Sequence, residues 1–399
     1  MKIFNRIPVN RPKSTLHDLS HQKVLSFKLG ELIPIQVIDV VPGDRIKSTT
    51  EQLIRFSPLV SPAMHRFDVF VHSFFVPNRL LWTTSDDDDD THKGWEAFIT
   101  GGEDGTLDPT FPMASITINA QVEAGTLHDY LGIPSISYST TPMSINVLPM
   151  RAYKMIWNEY YRNQNVQDAL TVQKSHSVSN VHDLKPNGVD YQPLKVNWER
   201  DYLTSALPWV QRGADVTLPI TGSIEFIPEY LSPATATGAD TGALGISATD
   251  KLVDAGSNEI SLQNLGNKVY DMTDVELTIN DLRLANSLQR WLEANARGGA
   301  RYKEQILSLF GVLTQDARLD RPEYLSGGKT PVQISEVLAT AETGSTTDVG
   351  DMSGHGISIG KSNYFDKTFT EHGFVMTLMF VRPKTGYYQG LPRMFWKND

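Results

Sequence analysis

Ser326-Gly327-Gly328-Lys329-Thr330 contains the Gly-Lys-Thr of a phosphate-cradling loop. Such a loop needs a glycine five residues before Gly328, so that backbone N–H groups can wrap a phosphate. That position holds Glu323, whose carboxylate repels phosphate, and Pro331 stands where the following helix would have to grow. These residues predict a strand and not a nucleotide site. His17 and His21 flank Asp18 at a spacing that could share a metal on a helix, but no HExxH motif and no nearby third ligand accompany them. Histidine as a residue type can take or give a proton near neutral pH, and two stand out: His355, in what reads as a Gly-rich loop (Asp351-Met352-Ser353-Gly354-His355-Gly356), and His372, in Glu371-His372-Gly373. Each is a candidate general base with no identifiable nucleophile beside it. Asp86 to Asp90 sets five carboxylates side by side in a polar loop over 85–94. Calcium loops alternate their ligands around a turning glycine, so this run reads as solvated. No GxSxG elbow is present. The absence of cysteine excludes disulfides, thiolate metal sites and cysteine nucleophiles. No catalytic residue, metal ligand or cofactor is assigned.

Charge is more informative than chemistry. The 399 residues carry 36 basic and 46 acidic side chains, a net charge of −10. Residues 1–30 run against that balance: Lys2, Arg6, Arg11, Lys13, Lys23 and Lys28 face only Asp18, which makes this stretch +5 and leaves −15 for the rest. An acidic body with a basic, proline-containing arm suits a chain that touches nucleic acid or an acidic partner. No stretch approaches the roughly 18 apolar residues of a membrane-spanning helix. The N-terminus lacks the apolar core of a signal peptide, so the chain is expected to be made and kept in a cytoplasm.

At roughly 100–200 residues per domain the length admits two to four domains, or one large domain with insertions. Residues 32–41 read as a β-run closed by the Pro42-Gly43-Asp44 turn, and 52–56 as a short second strand. Residues 66–76 form the strongest strand of the first half; both its faces are apolar, so it should be covered on both sides, and Pro77 stops it. Residues 150–165 predict a helix with Tyr153, Ile156, Trp157, Tyr160 and Tyr161 on one side. Residues 228–266 are rich in Gly, Ala, Ser and Thr and read as a long exposed excursion. Residues 277–311 predict two helices. Thr278 or Asn280 caps the first, whose stripe is Ile279, Leu282, Ala285, Leu288, Trp291 and Leu292, and Gly298-Gly299 end it. The second buries Tyr302, Ile306, Leu309 and Phe310 and stops at Gly311. Residues 331–338 return to strand pattern, and 364–382 predict two strands broken near His372-Gly373, with 375–381 central in a sheet.

Several blocks, in order along nearly the whole chain, resemble a known family. They are Pro42-Gly43-Asp44 followed by Phe56-Ser57-Pro58-Leu59; Phe74-Phe75-Val76-Pro77-Asn78-Arg79-Leu80-Leu81-Trp82; Arg151-Ala152-Tyr153 with Ile156-Trp157-Asn158-Glu159-Tyr160-Tyr161; and Ala206-Leu207-Pro208-Trp209. The most specific is Ala296-Arg297-Gly298-Gly299-Ala300-Arg301-Tyr302, leading to Asp316-Ala317-Arg318-Leu319-Asp320-Arg321-Pro322-Glu323-Tyr324-Leu325; Glu371-His372-Gly373 and Val381-Arg382-Pro383 follow. Together they are similar to the major capsid proteins of the Microviridae, small icosahedral single-stranded DNA phages, and within them the gokushovirus-like branch. The Asp86–Asp90 run departs from the family pattern. Relatives usually continue past the Arg393-Met394-Phe395 segment, so a C-terminal part is expected to be missing or supplied from elsewhere.

The resemblance implies a mainly β, viral jelly-roll fold, an eight-stranded antiparallel sandwich. Residues 31–399 would form one jelly-roll domain after the 1–30 arm, with a mixed helix and loop insertion at 82–210, a surface insertion at 228–266 and a helical pair at 278–311. It implies a non-enzymatic subunit of a T=1 icosahedral shell around circular single-stranded DNA, assembled in the bacterial cytoplasm. The partners implied are further copies of the chain, the packaged DNA, the phage's internal scaffolding, DNA-binding and pilot proteins, and a host receptor. Lys2, Arg6, Arg11, Lys13, Lys23 and Lys28 would face the DNA without reading bases. Arg297, Arg301, Arg318 and Arg321, with Asp316, Asp320 and Glu323 as carboxylate partners, would fix packing within a subunit or assembly between subunits. Leu244, Ile246, Leu262 and Leu265 would meet their symmetry mates at three-fold axes, where the insertion would serve attachment. The alternative is a jelly-roll protein that binds or cleaves glycans.

Overall fold

The structure is a computed structural model and describes residues 14–57, 59, 63–83, 94–95, 98, 114–118, 121–175, 185, 191–211, 213–217, 245–246, 252–253, 278–299, 301–313, 315–338, 352–387 and 393–395. The chain divides into two compact units, residues 1–206 with 312–399, and residues 207–311.

The first unit holds two antiparallel sheets. Strands β1 (Ile33–Val40), β3 (Phe67–Pro77), β8 (Glu323–Pro331) and β11 (Gly373–Pro383) lie in the order β1-β11-β3-β8, and β2 (Arg45–Arg55), β9 (Gln333–Leu338) and β10 (Met352–Thr368) in the order β2-β10-β9. The first strand thus pairs with the last, and the second with the last but one. The two corners are tied together: Gly43 N–H donates to Phe369 O and Phe369 N–H to Asp44 O, both at 2.8 Å. Gly43 has φ 101°, which a side chain would strain. A ribbon that turns from one sheet into the other at a shared corner is the jelly-roll winding, here with four strands facing three among the described residues. Two short pairs form separate sheets: β4 (Ser115–Ile118) with β5 (Met143–Asn146) in this unit, and β6 (Gly245–Ile246) with β7 (Leu252–Val253) in the second unit.

Between the sheets lie Val40, Phe75, Phe365, Phe369 and Val375, and further along Val69, Val71, Val332, Met379 and Val381. The opposite face of the four-stranded sheet is covered as well. Helices α1 (Asn78–Leu81), α2 (Leu127–Leu131) and α3 (Leu148–Ile156) and a π-helical turn (Trp157–Tyr161) follow β3 in sequence. Tyr153, Ile156, Trp157 and Tyr161 pack there with Phe74, Met376, Leu378 and Phe380. Two covered faces explain why nine consecutive residues of β11 are buried and why both faces of β3 are apolar, as the sequence predicted.

Other expectations needed correction. The second strand spans eleven residues, not five. Its inward positions include Ser48, Thr50 and Gln52, so its alternation is not apolar and hid from hydropathy. The stretch around His355 is strand β10, not a loop. Gly356 and Gly360 are strand glycines because a Cβ would press on the Phe56 ring or on Thr330 of the facing sheet. Helix α3 is buried all round, including Arg151 and Lys154, not on one side only; Arg151 Nη1 donates to Ser175 O at 2.8 Å.

A buried polar chain runs through the sandwich. The hydroxyls of Ser73 and Thr377 are 2.7 Å apart, Asn363 Nδ2 donates to Ser73 Oγ at 2.7 Å, and Ser326 Oγ donates to Asn363 Oδ1. The ladders skip register at Ser73/Phe74, at Ser362/Phe365 and at Pro34/Gln36. Three irregularities therefore meet near one polar cluster, and Asn363 takes the left-handed conformation (φ 70°) that Asn tolerates.

The second unit contains helices α4 (Ile279–Gly298) and α5 (Tyr302–Phe310). Thr278 caps α4 as predicted: its hydroxyl accepts the Asp281 N–H at 3.2 Å and the Asp281 carboxylate accepts the Thr278 N–H at 3.3 Å. Gly311 ends α5 at φ 68°. The predicted burial fails here. Tyr302 and Phe310 are 67% and 75% exposed, and Ile279, Leu282, Leu288 and Trp291 are exposed too.

Candidate functional site

Of the four arginines singled out by motif, Arg297 and Arg301 belong to the second unit and Arg318 and Arg321 to the first. Arg297 and Arg318 are exposed. Arg301 caps its own helix: its N–H donates to Glu304 Oε2 at 3.1 Å, and its Nη1 lies 2.9 Å from Glu304 Oε1.

Arg321 is different. It is 8% exposed, with Nε 3.4 Å from Asp316 Oδ1 and Nη2 3.7 Å from Glu159 Oε2. Its guanidinium lies over the Tyr160 ring, 4.7 Å from the centroid. Tyr160 in turn donates to Pro322 O at 2.6 Å, and burial pushes its phenol up, so it stays a donor. The π-turn sets Tyr160 and Tyr161 on adjacent sites: Tyr160 meets Phe74 with the rings tilted, centroids 4.7 Å apart, and Tyr161 stacks on His72. The cluster therefore bolts the 316–322 segment to the layer that covers the sheet.

Arg79, which motif reading passed over as a candidate, completes this region. Its Nε is 2.6 Å from Glu371 Oε2 and its Nη1 2.6 Å from Asp320 Oδ1. A cavity of about 200 Å³ lies among Pro77, Arg79, Ala317, Arg321, Lys367 and Glu371. Lys367 pairs with Glu323. Every cation lining the cavity already faces a carboxylate, so the arrangement suits a structural clamp better than an anion site. The sequence signal for Arg79 was its place in Pro77-Asn78-Arg79, but partners 241 and 292 residues away are invisible to spacing.

Of the basic arm, Lys2, Arg6, Arg11 and Lys13 lie outside the described residues. Lys23 Nζ donates to Pro34 O at 3.1 Å and to Tyr130 O, and burial lowers its pKa. Tyr130 OH donates to Ser26 O at 2.6 Å, so 23–26 is moored to the body although Lys23, like Lys28, keeps an exposed side. Leu244, Leu262 and Leu265 lie outside the described residues, as does Asp86–Asp90; Ile246 belongs to β6.

The histidines have local roles. His17 and His21 are exposed and not helical, His17 bonding the Thr15 hydroxyl at 2.9 Å and His21 the Leu19 carbonyl at 3.0 Å. No group of three metal-ligating side chains occurs among the described residues. His372 meets Trp95 edge-on at 5.5 Å. Lys329 of the Gly-Lys-Thr sequence lies in strand β8, 2.8 Å from Asp68 Oδ2. No helix among the described residues is long and apolar enough to cross a membrane.

The sequence pattern of the family described as "Capsid protein (F protein)" matches residues 5–399. The chain belongs to this family. Among curated proteins it is similar to capsid protein VP1 of Bdellovibrio phage phiMH2K, 34% identical over 93% of this chain and 69% of the relative. It is also similar to capsid protein VP1 of Chlamydia phage 1 (29% identical, covering 98% and 75%) and of Spiroplasma virus 4 (31% identical, covering 97% and 72%). All three are Microviridae. Membership suits the clamp, because a capsid subunit has to hold its shape.

Proposed function

We propose that this chain is the major capsid subunit of a small icosahedral phage of the T=1 type, closing around a circular single-stranded DNA genome. The observation that carries the reading is the capsid-family match over residues 5–399 on a chain whose sheets wind as a jelly roll. The clamp around Arg79 and Arg321 supports it, since a shell subunit must hold its shape while its surface bonds to copies. In this reading residues 1–30 line the interior against DNA, and 228–266 form the outer surface used in host attachment. Scaffolding, DNA-binding and pilot proteins of the phage assist assembly in the host cytoplasm. The test is negative-stain microscopy and sedimentation of the chain co-expressed with the phage's other structural proteins. Uniform closed shells built of this chain are expected. Particles that form without it, or a chain that stays monomeric throughout, would overturn the reading.

A further inference from the structure

Helix α4 carries two stripes that are exposed and have no polar partner among the described residues. Leu284, Leu288 and Trp291, at i, i+4 and i+7, are 69%, 44% and 54% exposed. Roughly a third of a turn round the helix from them, Arg283, Arg290 and Arg297 repeat every seven residues, about 10.5 Å apart along the axis. All three arginines are exposed, and among the described residues none has a hydrogen-bond, ion-pair or ring partner. Of the exposed cations on the sheets, Arg45 and Lys47 meet Asp366 and Lys361 meets Glu51, whereas Arg55 has no such partner among the described residues. The half-covered side of the helix instead carries Asp281, Ala285, Gln289 and Leu292.

We propose that this face of α4 docks on a second copy of the chain, with Leu284, Leu288 and Trp291 buried and the arginines paired with the neighbour's carboxylates. Three observations select that occupant. An apolar ridge this exposed on a soluble helix marks a contact surface. The helix has three arginines and no lysine, with Trp291 between Arg290 and Arg297, and interface centres favour Trp and Arg over Lys. The chain as a whole is acidic, at −10, so another copy supplies the complementary charge. Nucleic acid would satisfy the arginines but leave the leucines in water. The proposal rests on the capsid reading and adds which face bonds copy to copy.

The test uses the full chain co-expressed with the phage's other structural proteins. Trp291→Ala should weaken association between copies roughly thirty-fold, as loss of an interface anchor does. Subunits should replace shells, while circular dichroism and thermal unfolding of the dissociated subunit stay unchanged. A second variant does not depend on assembly failing. The chain has no cysteine, so Ser287→Cys, between the stripes, is a unique thiol. Its alkylation should slow about ten-fold or more on going from subunits to DNA-free shells, because reactivity follows exposure. Equal rates in subunits and DNA-free shells overturn the proposal, as does normal assembly of Trp291→Ala. Slowing confined to DNA-filled particles assigns the face to nucleic acid and overturns it too. If the wild-type chain enters no shell, the capsid reading fails and the proposal falls with it; the other outcomes reject the proposal alone.

Discussion

Arg321 and Arg297 come from neighbouring motif blocks and have opposite environments, so their substitutions should separate. Removing Arg321 takes one cation from the largely buried Asp316 and from the half-buried Glu159 and opens a gap over the Tyr160 ring, which costs about 3 kcal/mol. Arg321→Met should lower the unfolding midpoint of the subunit, whereas Arg297→Ala, at an exposed position, should change subunit stability by about 0.5 kcal/mol or less. Equal midpoints for the two variants would show that the Arg321 cluster is not a clamp. The histidines give a second residue-scale test. Burial lowers both His72 and His128 from 6.5 to about 4. Between those values the unfolded chain takes up protons at both sites and the folded chain does not. Their contribution is therefore fully present above pH 6.5 and is lost as pH falls towards 4, on the order of 2–3 kcal/mol for each. Denaturant titrations over that window should show a shallower pH slope for His128→Phe than for wild type; identical slopes would rule out a neutral buried His128.

Strand β10 shows how one residue governs an element. Asn363 sits where the β2–β10 ladder skips, in the left-handed region, and joins Ser73 of β3 to Ser326 of β8. Asn363→Ala and Asn363→Gly both lose these hydrogen bonds, at about 1–3 kcal/mol for buried partners left unsatisfied. Only Ala also meets the left-handed penalty, so thermal unfolding should find the Gly variant more stable than the Ala variant by about 1 kcal/mol. An Ala variant equal to or better than Gly would mean that the bulge relaxes. The same strand shows the limit of sequence reading. Residues 331–338 and 375–381 were legible because they concentrate β-branched and apolar side chains. Residues 352–363 were not, because Ser353, Gly354, Gly356 and Gly360 look like loop punctuation until the Phe56 ring at Gly356 and Thr330 of the facing sheet at Gly360 leave no room for a side chain.

At the scale of the whole molecule, charge and insertion should act separately. With Lys23 moored to backbone carbonyls, the proposed DNA contacts fall on Lys2, Arg6, Arg11, Lys13 and Lys28. Arg6→Ala, Arg11→Ala and Lys13→Ala combined should reduce the DNA retained per particle and its salt sensitivity, with empty shells still forming. An unchanged DNA content, measured by absorbance ratio, counts against an interior arm. Deleting residues 234–258 should spare the shell and abolish adsorption to host cells; a deletion phage that adsorbs normally removes the attachment role from that segment.

Local chemistry in the sequence determined several things by itself. Pro42-Gly43-Asp44 and His372-Gly373 mark the two corners, Thr278 and Gly311 mark helix ends, and Glu323 with Pro331 turns a phosphate-loop lookalike into strand. In each case the deciding contacts lie within a few residues, so spacing suffices. The ordered blocks from Pro42 to Arg382 likewise carried the family. Tertiary structure alone decided the partners of Arg79 and Arg321, the all-round burial of Arg151 and Lys154, and the exposure of the α4 stripe. An apolar stripe at helical spacing reads the same whether it faces its own core or a surface left open. Which of these holds depends on what the rest of the chain brings against it, and that is set by contacts hundreds of residues apart.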